Sequence, residues 1–198
     1  MDLAKFEERL KADPSNTYLL SQYKVAKEAL LAETHKKCAY CEAFFLHVYF
    51  GDVEHILAKG FDPVSRTLDY MNLTIACACC NNNKSDYEAP QDDDDERLID
   101  PTRDDPSVHL HALGPRLFHR TRRGEVTIEV IELNRDDLER RRAEALKALE
   151  AERSRYVAER NPSIKSRLKR ELQRKANPDQ EFSFVKSIAM EVLLHAEG

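Results

Sequence analysis

The chain has no tryptophan, only 5 glycines, and no apolar run approaching the roughly 20 residues that a membrane-spanning helix requires. The last absence excludes a protein held in a bilayer by such a helix, so no membrane partner is expected. No secretory leader is expected either. The opening stretch "MDLAKFEERLKADPSN" is charged and helical in pattern. The expected compartment is therefore cytoplasmic, where thiols stay reduced and paired cysteines more often mean a metal than a disulfide. Positive charge is also lacking overall. A formal net charge of −5 argues against a protein that grips nucleic acid by its bulk charge.

What is present is a soluble, charge-rich chain of 198 residues, 41% hydrophobic and 34% charged, able to bury one ordinary core. The charge is uneven. From Arg135 to Lys175 there are 14 Lys and Arg against 8 Asp and Glu, a net of +6, which leaves −11 for the remainder. These basic segments mix signs at i,i+4 spacing, so they read either as an ordinary solvated face or as a phosphate-contacting or partner-binding surface.

Apolar spacing predicts a helix over residues 3–10, closed by "DPS", and a second over about 17–33. "HVYFGDVEHIL" alternates and is rich in β-branched and aromatic residues, which predicts a strand or hairpin. "YMNLTIACACCNNNKSD" reads as a loop leading into a short helix. The acidic run Asp92 to Glu96 reads as a solvated connection. "VHLHAL", "PRLFHRT" and "GEVTIEVIEL" read as short strands, with Arg122 to Gly124 as a turn. A long helix follows with Asn134 as its N-cap, then a second helical segment from Pro162 and a terminal amphipathic helix. The expected division is a helical lead at 1–36, a zinc-stapled core at 37–90, a loop with short strands at 91–134 and C-terminal helices at 135–198.

The chemistry is concentrated in the cysteines. Cys38-x-x-Cys41 and Cys77-x-x-Cys80 form two matched pairs, and tetrahedral zinc needs four such soft ligands. Cys79 breaks the spacing and is expected to be a packed thiol outside the site. Zinc would pin the two ends of the segment between Cys41 and Cys77. Inside and just after that segment lie Glu54 beside His55, then Asn72, Asn81 and Lys84. His55 is a candidate general base because imidazole titrates near neutrality. Glu54 and Asn81 offer oxygen ligands suited to a hard cation such as Mg²⁺ or Mn²⁺, and Lys84 could meet a phosphate. Asn82 and Asn83 read as polar helix surface. Neighbours in a strand point to opposite faces, so Glu54 and His55 can serve one site only if the strand bends or ends there. His35, His47, His109, His111, His119 and His195 read as ordinary surface or structural histidines.

The ordered set "CAYCE", "VEHILAK", "YMNLTIAC" and "CCNNNKSD" resembles HNH endonucleases of the zinc-knuckle type over about a quarter of the chain. The resemblance implies an α+β fold, a ββα-metal core with a structural zinc knuckle set among helices. It implies one catalytic divalent cation, His55 as base, Glu54 and Asn81 as ligands, and Asn72 orienting the loop between strands. Family members more often carry Asp where this chain has Glu54. "LIDPT" and "GEVTIEVIELNRDDLERRR" extend the likeness to PtuB-like HNH effectors of Septu and retron anti-phage systems, which implies a partner ATPase subunit and a nucleic-acid substrate, DNA or RNA. Two alternatives stay open. One is a catalytically silent zinc-knuckle module that only binds nucleic acid or protein. The other is a stand-alone restriction-type HNH nuclease.

Overall fold

The structure is a computed structural model that describes residues 26–45, 51–58, 69–90 and 92–195. The helix expected at 3–10, the first part of the one expected at 17–33, the strand residues 46–50 and His47 lie outside the described residues.

Residues 26–33 are helical. The Thr34 hydroxyl donates to the Leu30 carbonyl, and His35 and Lys36, both at positive φ, turn the chain out of the helix. The first Cys-x-x-Cys turn follows at once. The Cys38 amide donates to Ala43 O at 3.0 Å and the Glu42 amide to Cys38 O at 2.9 Å, with Glu42 itself at positive φ. β1 (Asp52–His55) pairs antiparallel with β2 (Leu73–Ala76), placing Glu54 opposite Thr74 and His55 opposite Leu73. β1 ends at His55. Every residue of β2 is buried, which is why "LTIA" lacks the alternation of a half-exposed strand. Gly51 leads into β1 with φ +72, and a Cβ there would meet the Phe45 ring at 2.5 Å, so only glycine fits. β2 runs directly into α1 (Ala78–Lys84), capped by Cys77. β1, β2 and α1 together make a ββα unit.

Beyond the acidic connection, α2 (Pro106–His109) leads into a hairpin of β3 (Leu110–Leu113) and β4 (Arg116–His119), turned at Gly114 with φ +61. The next element corrects the sequence reading. "GEVTIEVIEL" does not form a strand, and Arg122 to Gly124 do not form a turn: Arg122–Ile131 is a helix, α3. The alternation of Val126, Ile128 and Val130 coexists with a second pattern, Gly124, Thr127 and Ile131 at i, i+3, i+7, and that face is buried. Thr121 caps the helix by accepting from the Gly124 amide. Gly124 lets it approach the end of α2, since a Cβ there would lie 2.2 Å from His109 O.

α4 (Asp136–Ala158), α5 (Pro162–Arg174) and α6 (Ser183–His195) complete the chain. Asn134 is not the N-cap of α4. That place is taken by Arg135, which makes no side-chain cap bond, while the Asn134 amide bonds both the N–H and the carbonyl of Leu117 at 2.9 and 2.8 Å. Asn134 therefore ties the hairpin to the start of α4. The core gathers Cys38, Cys41 and Cys80 with Leu117, Ile131, Leu138, Phe182 and Val185. A second cluster, Leu149, Tyr156, Leu172 and Met190, joins the three C-terminal helices. Among the described residues no helix is long and apolar enough to cross a membrane.

Candidate active site and metal centre

The ligand atoms of Cys38, Cys41, Cys77 and Cys80 all lie within 4.8 Å of one another. Sulfurs around a tetrahedral zinc at about 2.3 Å would stand roughly 3.8 Å apart, so the cluster fits that ion with little adjustment. The turn geometry supplies further support. The Cys80 amide points at Cys77 Sγ at 3.5 Å, at the N-terminus of α1. Arg135 brings its guanidinium to 3.5 Å from Cys80 Sγ and 4.0 Å from Cys77 Sγ. Burial pushes the Cys38 thiol well above its usual range, as do the neighbouring cysteines Cys41 and Cys77. Four thiolates crowded this closely need a cation to coexist. Cys79 stands apart as expected, but it is exposed rather than packed, because α1 turns its side chain away from the core.

The knuckle is welded to the C-terminal helices. The Lys37 ammonium donates to the carbonyls of Pro178 and Gln180 and to Glu42. The Glu42 carboxylate accepts from the Phe184 amide at 2.8 Å and from the Ser183 hydroxyl, which caps α6 from a distant part of the chain.

On β1, Glu54 is buried at 5% exposure, while His55, the last strand residue, is half-buried. Glu54 turns toward α1. Its Oε1 lies 2.7 Å from the Lys84 ammonium, and Lys84 is itself only 2% exposed. Lys84 is thus directed inward to the carboxylate of Glu54, a position that does not suit the expected phosphate contact. Asn81 stands three residues earlier on α1, one turn along the same face, with half-buried exposure. The oxygen donors expected to hold a hard cation therefore lie on facing elements, β1 and α1. Asn72 is buried. Its Oδ1 accepts from the Leu57 amide at 2.8 Å, its Nδ2 donates to Leu57 O at 3.0 Å, and its own carbonyl accepts from Ile56 at 2.9 Å. These bonds fix the chain immediately after His55.

Two contributors escaped the sequence reading. Asn83 is not bare helix surface: its Nδ2 donates to Ile131 O at 3.1 Å and to Glu132 at 3.0 Å, joining α1 to the end of α3. The Cys-Asn-Asn-Asn pattern gave no hint of which asparagine would meet another element. Arg135, in sequence only one cation of a basic segment, stands 3.5 Å from Cys80 Sγ.

A cleft of about 700 Å³ opens beside the Asn72 loop, walled by Tyr40, Leu57, Tyr87 and Leu98 among others. Six carboxylates and three guanidiniums line it, so it repels phosphate rather than attracting it. Burial pushes the Tyr40 phenol well up, as does the nearby charge of Glu54. Asp104, also lining the cleft, goes the other way. Burial pushes its carboxyl up, but the Asp100 amide and the Arg123 guanidinium more than offset this and hold it below the usual range.

Residues 38–87 match the family model described as HNH endonuclease. The chain is also similar to two proteins named Septu protein PtuB. The one from Bacillus thuringiensis is 32% identical over 56% of this chain and 42% of its own length. The one from Bacillus mycoides (strain KBAB4) is 28% identical over 58% of this chain and 48% of its own length. The similarity spans less than half the length of either relative. No solved structure matches the chain.

Proposed function

We propose that the chain is a metal-dependent HNH endonuclease that hydrolyses phosphodiester bonds of nucleic acid, DNA first among them. The observation that carries this reading is the ββα unit itself, with Glu54 turned to an α1 that bears Asn81 and His55 beside it as the last residue of β1. Zinc at Cys38, Cys41, Cys77 and Cys80 holds the unit together and takes no part in the chemistry. Glu54 and Asn81 would hold a divalent cation such as Mg²⁺ or Mn²⁺, which supplies a Lewis acid at the phosphate when bound.

The chain's own residues do the rest. His55 accepts a proton from water, and the resulting hydroxide attacks phosphorus. The bond from phosphorus to the 3′ oxygen breaks, leaving a 5′-phosphate and, once that oxygen is protonated, a 3′-hydroxyl. Asn72 orients the backbone around Leu57 and so keeps His55 directed at the substrate. Lys84 acts on Glu54, fixing the direction of its carboxylate, and not on the substrate.

The similarity to Septu protein PtuB supports a nuclease role in anti-phage defence with a partner subunit; on this reading the chain works in the cytoplasm and the partner is an ATPase. The test is to incubate the zinc-loaded chain with supercoiled plasmid, single-stranded DNA and RNA, with added Mg²⁺ or Mn²⁺ or with EDTA. Nicking of DNA that needs the added ion is expected. Equal cleavage in EDTA would overturn the metal dependence, and cleavage of RNA alone would overturn the choice of DNA. If the chain neither cuts alone nor with its ATPase, yet still binds nucleic acid, the silent binding module replaces the nuclease.

A further inference from the structure

The carboxylate-lined cleft and the net charge of −5 raise the question of where a polyanion docks. One element differs from its surroundings. Between Pro162 and Arg174, α5 carries five Lys and Arg against the single acid Glu171, a net of +4. The neighbouring α4 balances six basic residues with six acidic ones. The two helices pack as an antiparallel hairpin. Lys165 lies over the Tyr156 ring, and further back along α4 Glu152 meets Lys175 at 3.2 Å.

Leu172 of α5 is buried against α4, with Leu168 packed beside it. Arg167, Arg170 and Arg174, at i, i+3 and i+7, form a stripe on an exposed face, with Lys169 beside it. Most cations elsewhere in the fold are matched by carboxylates: Arg116 with Glu139 at 2.8 Å, Arg123 with Asp104, Arg141 with Glu181. On α5 the matching thins. Arg170 bonds only the Ser166 hydroxyl, Arg167 reaches Glu171 at 3.6 Å, and Lys169 and Arg174 have no ion-pair partner among the described residues. Like charges set this close repel unless an external anion is present. The stripe spans about 10 Å at 1.5 Å rise per residue, a length over which one strand of duplex presents roughly three phosphates. Its Arg174 end leads toward the knuckle. The segment after α5 is held there by the Lys37 bonds to Pro178 and Gln180.

We propose that the exposed face of α5 binds the nucleic-acid backbone, through phosphates and without reading bases. This rests on the nuclease reading above, and it places substrate affinity outside the segment that matches the HNH model. The test measures binding of a labelled DNA duplex against salt for the full chain and for the variant Arg167→Gln/Arg170→Gln/Arg174→Gln. The slope of log affinity against log salt should fall by about 3, with affinity at least tenfold weaker at moderate salt. In cleavage, KM should rise while kcat at saturating DNA is kept. Arg116→Gln and Arg153→Gln, whose cations are held by carboxylates at 2.8 and 3.3 Å, should leave the slope unchanged. Circular dichroism and zinc content should match wild type throughout.

Wild-type affinity and slope in the triple variant would overturn the proposal while leaving the nuclease reading intact if DNA is still cut. An equal loss in the Arg116 and Arg153 controls would also overturn it. A wild-type chain that binds no nucleic acid even at low salt would overturn the proposal, and the nuclease reading would fall with it only if the chain also cuts nothing in the presence of its ATPase.

Discussion

Lys84 and Glu54 bury opposite charges against each other, so removing one leaves the other stranded. Lys84→Met should cost roughly 3–5 kcal/mol of stability, and the double variant Glu54→Gln/Lys84→Met should recover much of it, as read from urea unfolding midpoints. If the single and double variants are equally destabilised, the pair is not what holds α1 to β1. Asn72→Ala loses both bonds to Leu57 and should cost on the order of 1–3 kcal/mol, with faster hydrogen exchange at the Leu57 amide. At this scale candidates for the site were nameable from the motif spacing, because ligand chemistry restricts residue type. Their directions were not. Only the packing of α1 on β1 shows that Lys84 points inward, and only the end of α3 shows what Asn83 meets.

At the scale of elements, long-range caps join segments that local sequence would treat as separate. Glu42 caps α6 from the knuckle, so Glu42→Ala should lower stability by about 1 kcal/mol and loosen the first turn of α6, measurable by exchange at Phe184. The Asp104 pair with Arg123 ties α3 to the acidic connection, and its carboxyl pKa is depressed in the fold. A depressed carboxyl stabilises the fold above its unfolded pKa and loses that contribution as pH falls through the folded value. Asp104→Asn should therefore flatten part of the stability loss below about pH 4, where unfolded aspartate titrates. An unchanged acid limb would count against this pair. The long C-terminal helices were legible because their apolar spacing and charge patterns agree. α3 was not, because its β-branched alternation satisfies a strand pattern. The helical face built on Gly124 and Thr127 acquires meaning only when the hairpin and the Ile99 amide are packed on it.

For the whole molecule, the cysteine cluster sits in the main core beside residues of α3, α4 and α6, so zinc should stabilise far more than the knuckle. One zinc per chain is expected by elemental analysis. It should persist in Cys79→Ser and be lost in Cys80→Ser, with chelation accelerating exchange in α6 as well as α1. The overall α+β plan with its knuckle was foreseeable from the two cysteine pairs. The way the C-terminal helices close over it was not, since Lys37, Glu42 and Arg135 reveal their partners only in three dimensions.

The central claim is that His55 drives phosphodiester hydrolysis at the end of β1. Its most direct test is the single-turnover rate of plasmid nicking by wild type and His55→Ala, matched for zinc content, in Mg²⁺ or Mn²⁺ and with the proposed ATPase partner if the chain alone is silent. Loss of a general base predicts a fall of at least about 10²-fold with DNA binding retained. Nicking by His55→Ala at the wild-type rate would contradict the account.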